Sequence, residues 1–319
     1  MKRKVLLQLV APLMGLCMLF LLLAMQPDSA SRTVEPVELS VILRETDTAA
    51  LNAARQGMEQ AAADLNAELR LLTLTTPGSA KEQRALLERE VSGGARGVVL
   101  VPADREALAD SVKQAAGQVP VVTMETDMSE SGAKAWVGAD NAALGAALSK
   151  AALNGVRPGE TVLLLDSLPG DNAVRERLEA AAVVLEAEGR AVDVCAPGEK
   201  TLSDALKTAL AAQRPSLVMA FEAGALETAA AVLETVEQPS PLLYGVGASS
   251  AVAAGLEQGH ITAIAAQNEF AAGYLAVEAA VCLVRHQAWE AEDPLEFSIL
   301  RRENMYEPDS QKLLFPVTR

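Results

Sequence analysis

The sequence predicts an α/β protein of two doubly wound parallel-sheet lobes. Three observations carry this. Short, unbroken apolar runs rich in β-branched residues alternate with segments of helical periodicity from Val37 onward. The alternation completes one set near Leu153 and restarts at Thr161. About 285 residues follow the N-terminal apolar stretch, enough for two lobes of ordinary size. Strands covered on both faces read as continuous apolar runs, and βα alternation places helices over a parallel sheet. Two successive sets imply two such sheets.

In the first set, strands are expected at 37–43, 69–74, 97–101, 119–124 and 135–138. Helices fall between them at 49–65, 81–91 and 105–116, and another follows at 141–153. Thr76-Pro77-Gly78-Ser79 reads as a turn leading into a helix start, and Gly93-Gly94 ends that helix. In the second set, strands are expected at 161–165, 191–195, 216–221, 242–246, 261–265 and 296–300. The matching helices are 173–188, 202–212, 225–233, 250–258 and a long one at 269–285. Ligands of such sheets bind beyond the carboxyl ends of the strands.

The N-terminus carries a different signal. Met1-Lys2-Arg3-Lys4 is basic, and Val5 to Met25 is a 21-residue run without charge, interrupted by Gln8, Pro12 and Gly15. A helix of that length spans roughly 30 Å, about the thickness of a bilayer's hydrocarbon. A basic head stays in the cytoplasm, so the rest of the chain is expected outside the cytoplasmic membrane, at the cell surface or in the periplasm. The run exceeds an ordinary signal-peptide core, which favours a retained anchor. A signal cleaved near Asp28-Ser29-Ala30 and lipidation at Cys17 are the alternatives. Residues 1–31 are then head, anchor and start of tether, and 32–36 the remaining tether.

Composition narrows the function. Net charge is −15, and beyond residue 31 there are 24 Lys/Arg against 41 Asp/Glu, or −17. An acidic surface argues against nucleic acid and against anionic lipid. Two distant cysteines, Cys195 and Cys282, make no disulfide framework and are expected as buried free thiols. Two histidines, His260 and His286, without clustered cysteine leave no metal site, and no cofactor motif is present. Gly-x-Ser-x-Gly, a Walker loop and the dinucleotide fingerprint are absent, so an enzyme is not expected.

Five phrases, in order and in register, resemble the type I periplasmic sugar-binding proteins. Gly93 to Asp104 (GGARGVVLVPAD) looks like that family's third-strand phrase. Val119 to Asp127 (VPVVTMETD) resembles its next strand. Val137-Gly138-Ala139-Asp140-Asn141-Ala142-Ala143-Leu144-Gly145 looks like its Asp-Asn crossover. Asn172 to Arg177 (NAVRER) resembles its Arg-bearing helix start, and Ala265-Ala266-Gln267 with Gly273 its second crossover. The resemblance implies three crossings, near Asp140, near Gln267 and at 293–297. One lobe is then 37–140 plus 268–295, and the other 141–267 plus 296–319. Cytoplasmic repressors of this fold carry a DNA-binding unit where this chain carries its apolar segment, so the exported branch is implied.

The resemblance also implies a pocket. Its expected ligand-binding residues are Asp47, Thr48, Glu125, Thr126, Arg175, Glu222 and Gln267, with Asp140, Asn141 and Gln267 at the hinge. Departures from the family pattern are plain. Asp47-Thr48-Ala49-Ala50-Leu51 replaces the polar-Pro-aromatic-aromatic loop, Glu125 replaces the usual Asp, and Gly247 stands where a sugar-binding Asp is usual. The pocket so read is acid-rich and poor in stacking aromatics; Trp136 and Phe221 lie near strand ends and are expected in the core, the alternative being that one of them offers the pocket a flat surface. Glu125, Arg175 and Glu222 also admit local roles as loop, pairing or capping residues, and Asp140 is a natural helix N-cap.

The expected function is an extracytoplasmic solute-binding protein delivering a small ligand, a sugar or sugar-like solute, to an ABC permease. A polyol, a furanose-like signal or a small cationic solute also suits the acid-rich set. The alternatives are a membrane-tethered sensing subunit for a histidine kinase or chemoreceptor, and a degenerate lobe pair working through protein contacts. In each the expected partners are the solute, a membrane protein and the membrane through the N-terminal helix, with no nucleic acid.

Overall fold

The computed structural model describes residues 35–44, 51–236, 240–289 and 294–315. The described residues from Val37 onward form one compact unit. The first sheet holds β1 (Val37–Ile42), β2 (Ala67–Leu72), β3 (Gly97–Leu100), β4 (Val121–Met124) and β5 (Ala135–Val137). Its order is β2-β1-β3-β4-β5, with every pairing parallel. The helices threaded through it are α1 (Asn52–Asp64), α2 (Ala80–Ser92) and α3 (Arg105–Ala116).

After β5 the chain leaves this sheet. Asp140 caps α4 (Asn141–Ala152) by accepting from the Ala143 N–H, and α4 packs in the second half. There β6 (Thr161–Leu165), α5 (Asn172–Ala187), β7 (Ala191–Cys195), α6 (Leu202–Gln213), β8 (Leu217–Ala220), α7 (Ala223–Leu233), β9 (Leu242–Val246), α8 (Ser250–Gln258) and β10 (Ala263–Gln267) follow. The chain then returns: α9 (Glu269–Val284) packs on α1 and under the first sheet. Finally β11 (Phe297–Leu300) pairs antiparallel with β10, giving the order β11-β10-β9-β8-β6-β7, and α10 (Pro308–Leu314) closes the described chain. The Leu295 N–H donates to the Gly138 carbonyl at 2.8 Å, so the last crossing runs beside the first.

Each sheet is buried on both faces because successive side chains point to opposite sides. In β6, Leu163 and Leu165 join one apolar cluster while Val162 and Leu164 join another. In β1, Val37, Leu39 and Val41 face the α1/α9 layer, and Ile42 packs with Leu87, Leu108 and Val112 on the other face. The rule stops at the edge: β7 is an outer strand, and Val194 is 53% exposed. Cys195 is buried and free; Cys282 is free but only half-buried, which corrects the expectation that both are buried.

Each crossover helix lands on the first helix of its half through a glycine. A Cβ on Gly273 of α9 would sit 1.9 Å from the Ala54 carbonyl oxygen of α1. A Cβ on Gly145 of α4 would sit 2.1 Å from the Arg177 carbonyl oxygen of α5. Both helices therefore approach backbone to backbone, which only glycine permits. The same device in both halves fits a fold made of two similar units.

Two strands are displaced by two residues from the sequence reading: the one expected at 69–74 is Ala67–Leu72, and the one expected at 261–265 is Ala263–Gln267. The helix α10 was not foreseen. Pro308 at the first helical position, with Asp309 and Lys312 placed to suit the helix dipole, carried the signal for α10. Among the described residues no helix is long and apolar enough to cross a membrane, and no cluster of His, Cys, Asp or Glu could hold a metal. The N-terminal apolar run lies outside the described residues.

Candidate ligand-binding site

The carboxyl ends of both sheets converge on one cavity of about 330 Å³. Arg44 follows β1, Glu125 follows β4, Glu222 follows β8, Gly247 follows β9 and Glu269 follows β10; all line it. Arg177 enters from α5, and Asn52 and Gln56 from α1. The rule that ligands lie beyond strand C-termini is thus met from both sheets at once.

The base of the cavity is a buried ionic network. Arg44 and Arg177 are each 4% exposed. Arg44 Nη2 lies 2.9 Å from Glu125 Oε2, and its Nε lies 2.9 Å from Asp171 Oδ2. Arg177 Nη2 stands 3.9 Å from the same Glu125 oxygen. Arg177 also donates to Asn141 Oδ1 at 2.8 Å and to the Phe221 carbonyl at 2.9 Å. Asn141 in turn donates to the Glu125 carbonyl at 2.9 Å, so this crossover residue ties the two halves together. Burial alone would raise the Glu125 carboxyl, but the Arg44 and Arg177 guanidiniums outweigh it and hold it below the ordinary carboxylate range.

Glu125 is held in a left-handed conformation, φ 61°. A non-glycine residue there costs about 1–2 kcal/mol and needs surroundings that enforce it. Those surroundings are visible. The Glu125 N–H donates to the Val137 carbonyl, and Gly138 leaves room, since a Cβ on it would lie 3.1 Å from Glu125 Cα. The result turns the carboxylate toward Arg44.

The remaining acids differ in their commitments. Glu222 caps α7: its carboxylate accepts from the Gly224 N–H at 2.6 Å, the Ala225 N–H at 2.5 Å and the Ser167 hydroxyl at 3.0 Å. Glu269 accepts from Gln267 Nε2 at 3.0 Å. Its burial, with the Glu125 charge nearby, pushes its carboxyl up to about 7.

Of the residues expected from the sequence, Glu125 and Glu222 line the cavity. Gln267 is buried behind it, accepting from the Ala139 N–H at 3.2 Å and holding Glu269. Thr126 is buried and is not on the cavity wall. Asp47 and Thr48 lie outside the described residues. Asp140 and Asn141 sit at the first crossover, as the helix cap and the tie described above.

Arg175 is placed differently from its expectation. It is 43% exposed, donates to Glu106 Oε1 at 3.0 Å, and does not line the cavity. The guanidinium on the wall is Arg177. One helix explains this: Val174, Arg177, Ala181 and Leu185 form the buried stripe of α5, and Arg175 falls on the other side. Arg175→Ala should therefore leave ligand affinity within about twofold and Tm nearly unchanged, as exposed ion pairs contribute about 0–1 kcal/mol. Arg177→Ala should abolish binding measured by calorimetric titration.

Arg44, Arg177 and Glu269 were not picked out from the sequence. Arg44 and Glu269 sit just past strand ends, as Glu125 and Glu222 do. Gly247 has its own reason for not being an acid. Its φ is 135°, and a Cβ would lie 2.8 Å from Ala223 Cβ, so a side chain is excluded there. The one aromatic on the wall among the described residues is Phe315; Phe221 is fully buried in the core.

The chain belongs to the periplasmic binding protein family: the periplasmic binding protein domain matches residues 39–288. No curated protein matches the chain. Among solved structures, a carbohydrate transporter solute-binding protein from Agrobacterium radiobacter, in complex with D-arabinose, is similar at TM-score 0.82 and 18% identity. That likeness covers 88% of this chain and 100% of the other. GanP, a glucose-galactose binding protein from Geobacillus stearothermophilus, gives 0.76 and 18%, covering 85% and 99%. The XylFII–LytSN complex gives 0.77 and 16%, covering 85% and 99%. At these identities the likeness establishes the shared fold: two parallel-sheet lobes of the type I periplasmic binding protein architecture.

Proposed function

We propose that this protein is an extracytoplasmic solute-binding protein that closes its two lobes on a small sugar or sugar-like ligand for an ABC importer. The observation that carries the reading is the polar cavity at the C-terminal ends of both sheets, with Arg44, Glu125 and Arg177 at its base. Buried groups of this kind suit a hydroxyl-rich solute, whose donors and acceptors satisfy them on closure. Similar structures hold D-arabinose and bind glucose and galactose, which supports the same ligand class here. The lobes are taken as 37–140 with 268–295, and 141–267 with 296–319, moving about the three crossings. The family's location is outside the cytoplasmic membrane, and the 21-residue apolar run is read as the anchor.

A second reading is a tethered sensing subunit that reports occupancy to a membrane protein. It is favoured by that apolar run, and by a similar structure being a complex of two proteins. Both readings share ligand binding without catalysis. The test is a thermal-shift screen of the full chain against monosaccharides, polyols, nucleosides, amino acids and polyamines. Ligands that bind the native state raise Tm. A shift confined to sugars or polyols is expected; no shift from any solute at millimolar concentration would sink the reading.

A further inference from the structure

The carboxylates of the cavity are not equally provided for. Two guanidiniums, Arg44 and Arg177, line it against three carboxylates, Glu125, Glu222 and Glu269. Arg44 is also shared with Asp171, so the two cations serve acids that already outnumber them. Glu125 takes both guanidiniums, at 2.9 and 3.9 Å. Glu222 is satisfied by two helix N-terminal N–H groups and the Ser167 hydroxyl. Glu269 has one neutral donor, the Gln267 amide, and none of the ion pairs among the described residues reaches it. Ionising a half-buried carboxyl that no ion pair among the described residues reaches is costly in an empty site.

The rest of the wall shows what the ligand need not be. A sugar ring held by stacking needs flat aromatic faces, and the described wall has Phe315 alone. Neutral polar groups are present as well: Asn52 and Gln56 from α1, and Ser249 and Ser250 at the start of α8. Such a wall suits hydroxyls, and the Glu269 position suits a positive charge.

Resting on the solute-binding reading above, we propose that the ligand is a hydroxylated amine, an amino sugar or amino polyol, whose ammonium group seats on Glu269. The ammonium supplies the ion-pair partner that Glu269 has from none of the described residues, and the hydroxyls meet the amide, hydroxyl and guanidinium groups around it. The groups bearing on Glu269 are the Gln267 amide, the Glu125 carboxylate, and the Arg177 and Arg44 guanidiniums. Burial and Glu125 together outweigh the rest and leave Glu269 substantially protonated at neutral pH in the empty protein. A cationic ligand displaces that proton on binding; a neutral one does not.

The test pairs each amine with its neutral counterpart: N-methyl-D-glucamine with sorbitol, and D-glucosamine with D-glucose, titrated calorimetrically into the full chain. At least one amine should bind tenfold or more tightly than its counterpart. N-methyl-D-glucamine stays protonated across the range, so its affinity should rise about tenfold between pH 6 and 8, as Glu269 ionises around pH 7. Titration at pH 7 in two buffers of different ionisation enthalpy should show net proton release. Glu269→Gln should remove the amine preference, and the pH profile of the unaltered protein stands as the test should that variant not fold. Equal or tighter binding of sorbitol and glucose, or an affinity that is flat or falls as pH rises, overturns the proposal while leaving the solute-binding reading intact. So does a Tm shift from some neutral solute with none from either amine. No shift from any solute overturns both.

Discussion

Arg44→Met should lower stability by about 3–5 kcal/mol, since removing one partner of a buried ion pair strands the others in a poorly solvating interior. Arg44 is the shared cation of Glu125 and Asp171, both at 2.9 Å, so the change takes the nearest cation from two carboxylates and leaves Glu125 with Arg177 at 3.9 Å. Tm should fall on the order of 10 °C in a protein this size. The pH dependence has a definite sign. Glu125 has its folded pKa depressed, so its contribution in the unaltered protein is present above its unfolded pKa and is lost as pH falls through the folded value. The gap between variant and unaltered protein should therefore narrow in acid. Glu125→Gln in the Arg44→Met background should recover part of the loss, because one stranded charge is gone. Thermal melts from pH 8 down to about 3, through and below the ordinary glutamate value, check this, and an unchanged Tm at pH 7 would show that the network is not what holds the two halves' strand ends together.

Gly145→Ala carries the second large effect, and it acts on the site from behind. The added carbon would meet the Arg177 carbonyl oxygen at 2.1 Å, about an ångström inside tolerable contact, and both partners are helix backbone. No side chain can swing away, so α4 and α5 must separate. Forced overpacking of this kind costs about 1–3 kcal/mol, and more where backbone must move. The displaced residue is Arg177 itself, whose bonds to Asn141 and the Phe221 carbonyl orient it toward Glu125. Ligand affinity should drop at least tenfold together with Tm. Gly117→Ala is the control. Gly117 has φ −74°, and a Cβ there meets nothing closer than 3.5 Å, so melts should differ by no more than a degree or two.

These two residues also show what the sequence made legible. The strands and helices followed from hydrophobic period, since nearly every expected one appears, whereas the crossings were read from the family resemblance. The glycines in the two crossover phrases were visible as well, although their physical reason needed the helix pairs α4/α5 and α9/α1. The cavity was half legible. Family resemblance pointed to Glu125 and Glu222, which stand just past strand ends; strand-end position applied evenly would have added Arg44 and Glu269. Family resemblance drew attention to Arg175, whereas helical spacing from Val174 to Ala181 and Leu185 singles out Arg177 as the buried arginine. Long-range pairings such as Arg44 with Glu125 and Asp171 were not legible, because sequence separation says nothing of which strand ends meet. The unequal commitments of the three cavity acids likewise depend on caps and amides supplied from elsewhere in the fold.

The central claim is that a small solute binds in the cavity floored by Arg44, Glu125 and Arg177. The most direct measurement is a calorimetric titration of the best solute from the screen into the unaltered chain, Arg175→Ala and Arg177→Ala, with melts confirming that each is folded. One-site binding retained in Arg175→Ala and lost in Arg177→Ala is the predicted result. Undiminished binding by a folded Arg177→Ala protein would place the ligand elsewhere and contradict the account.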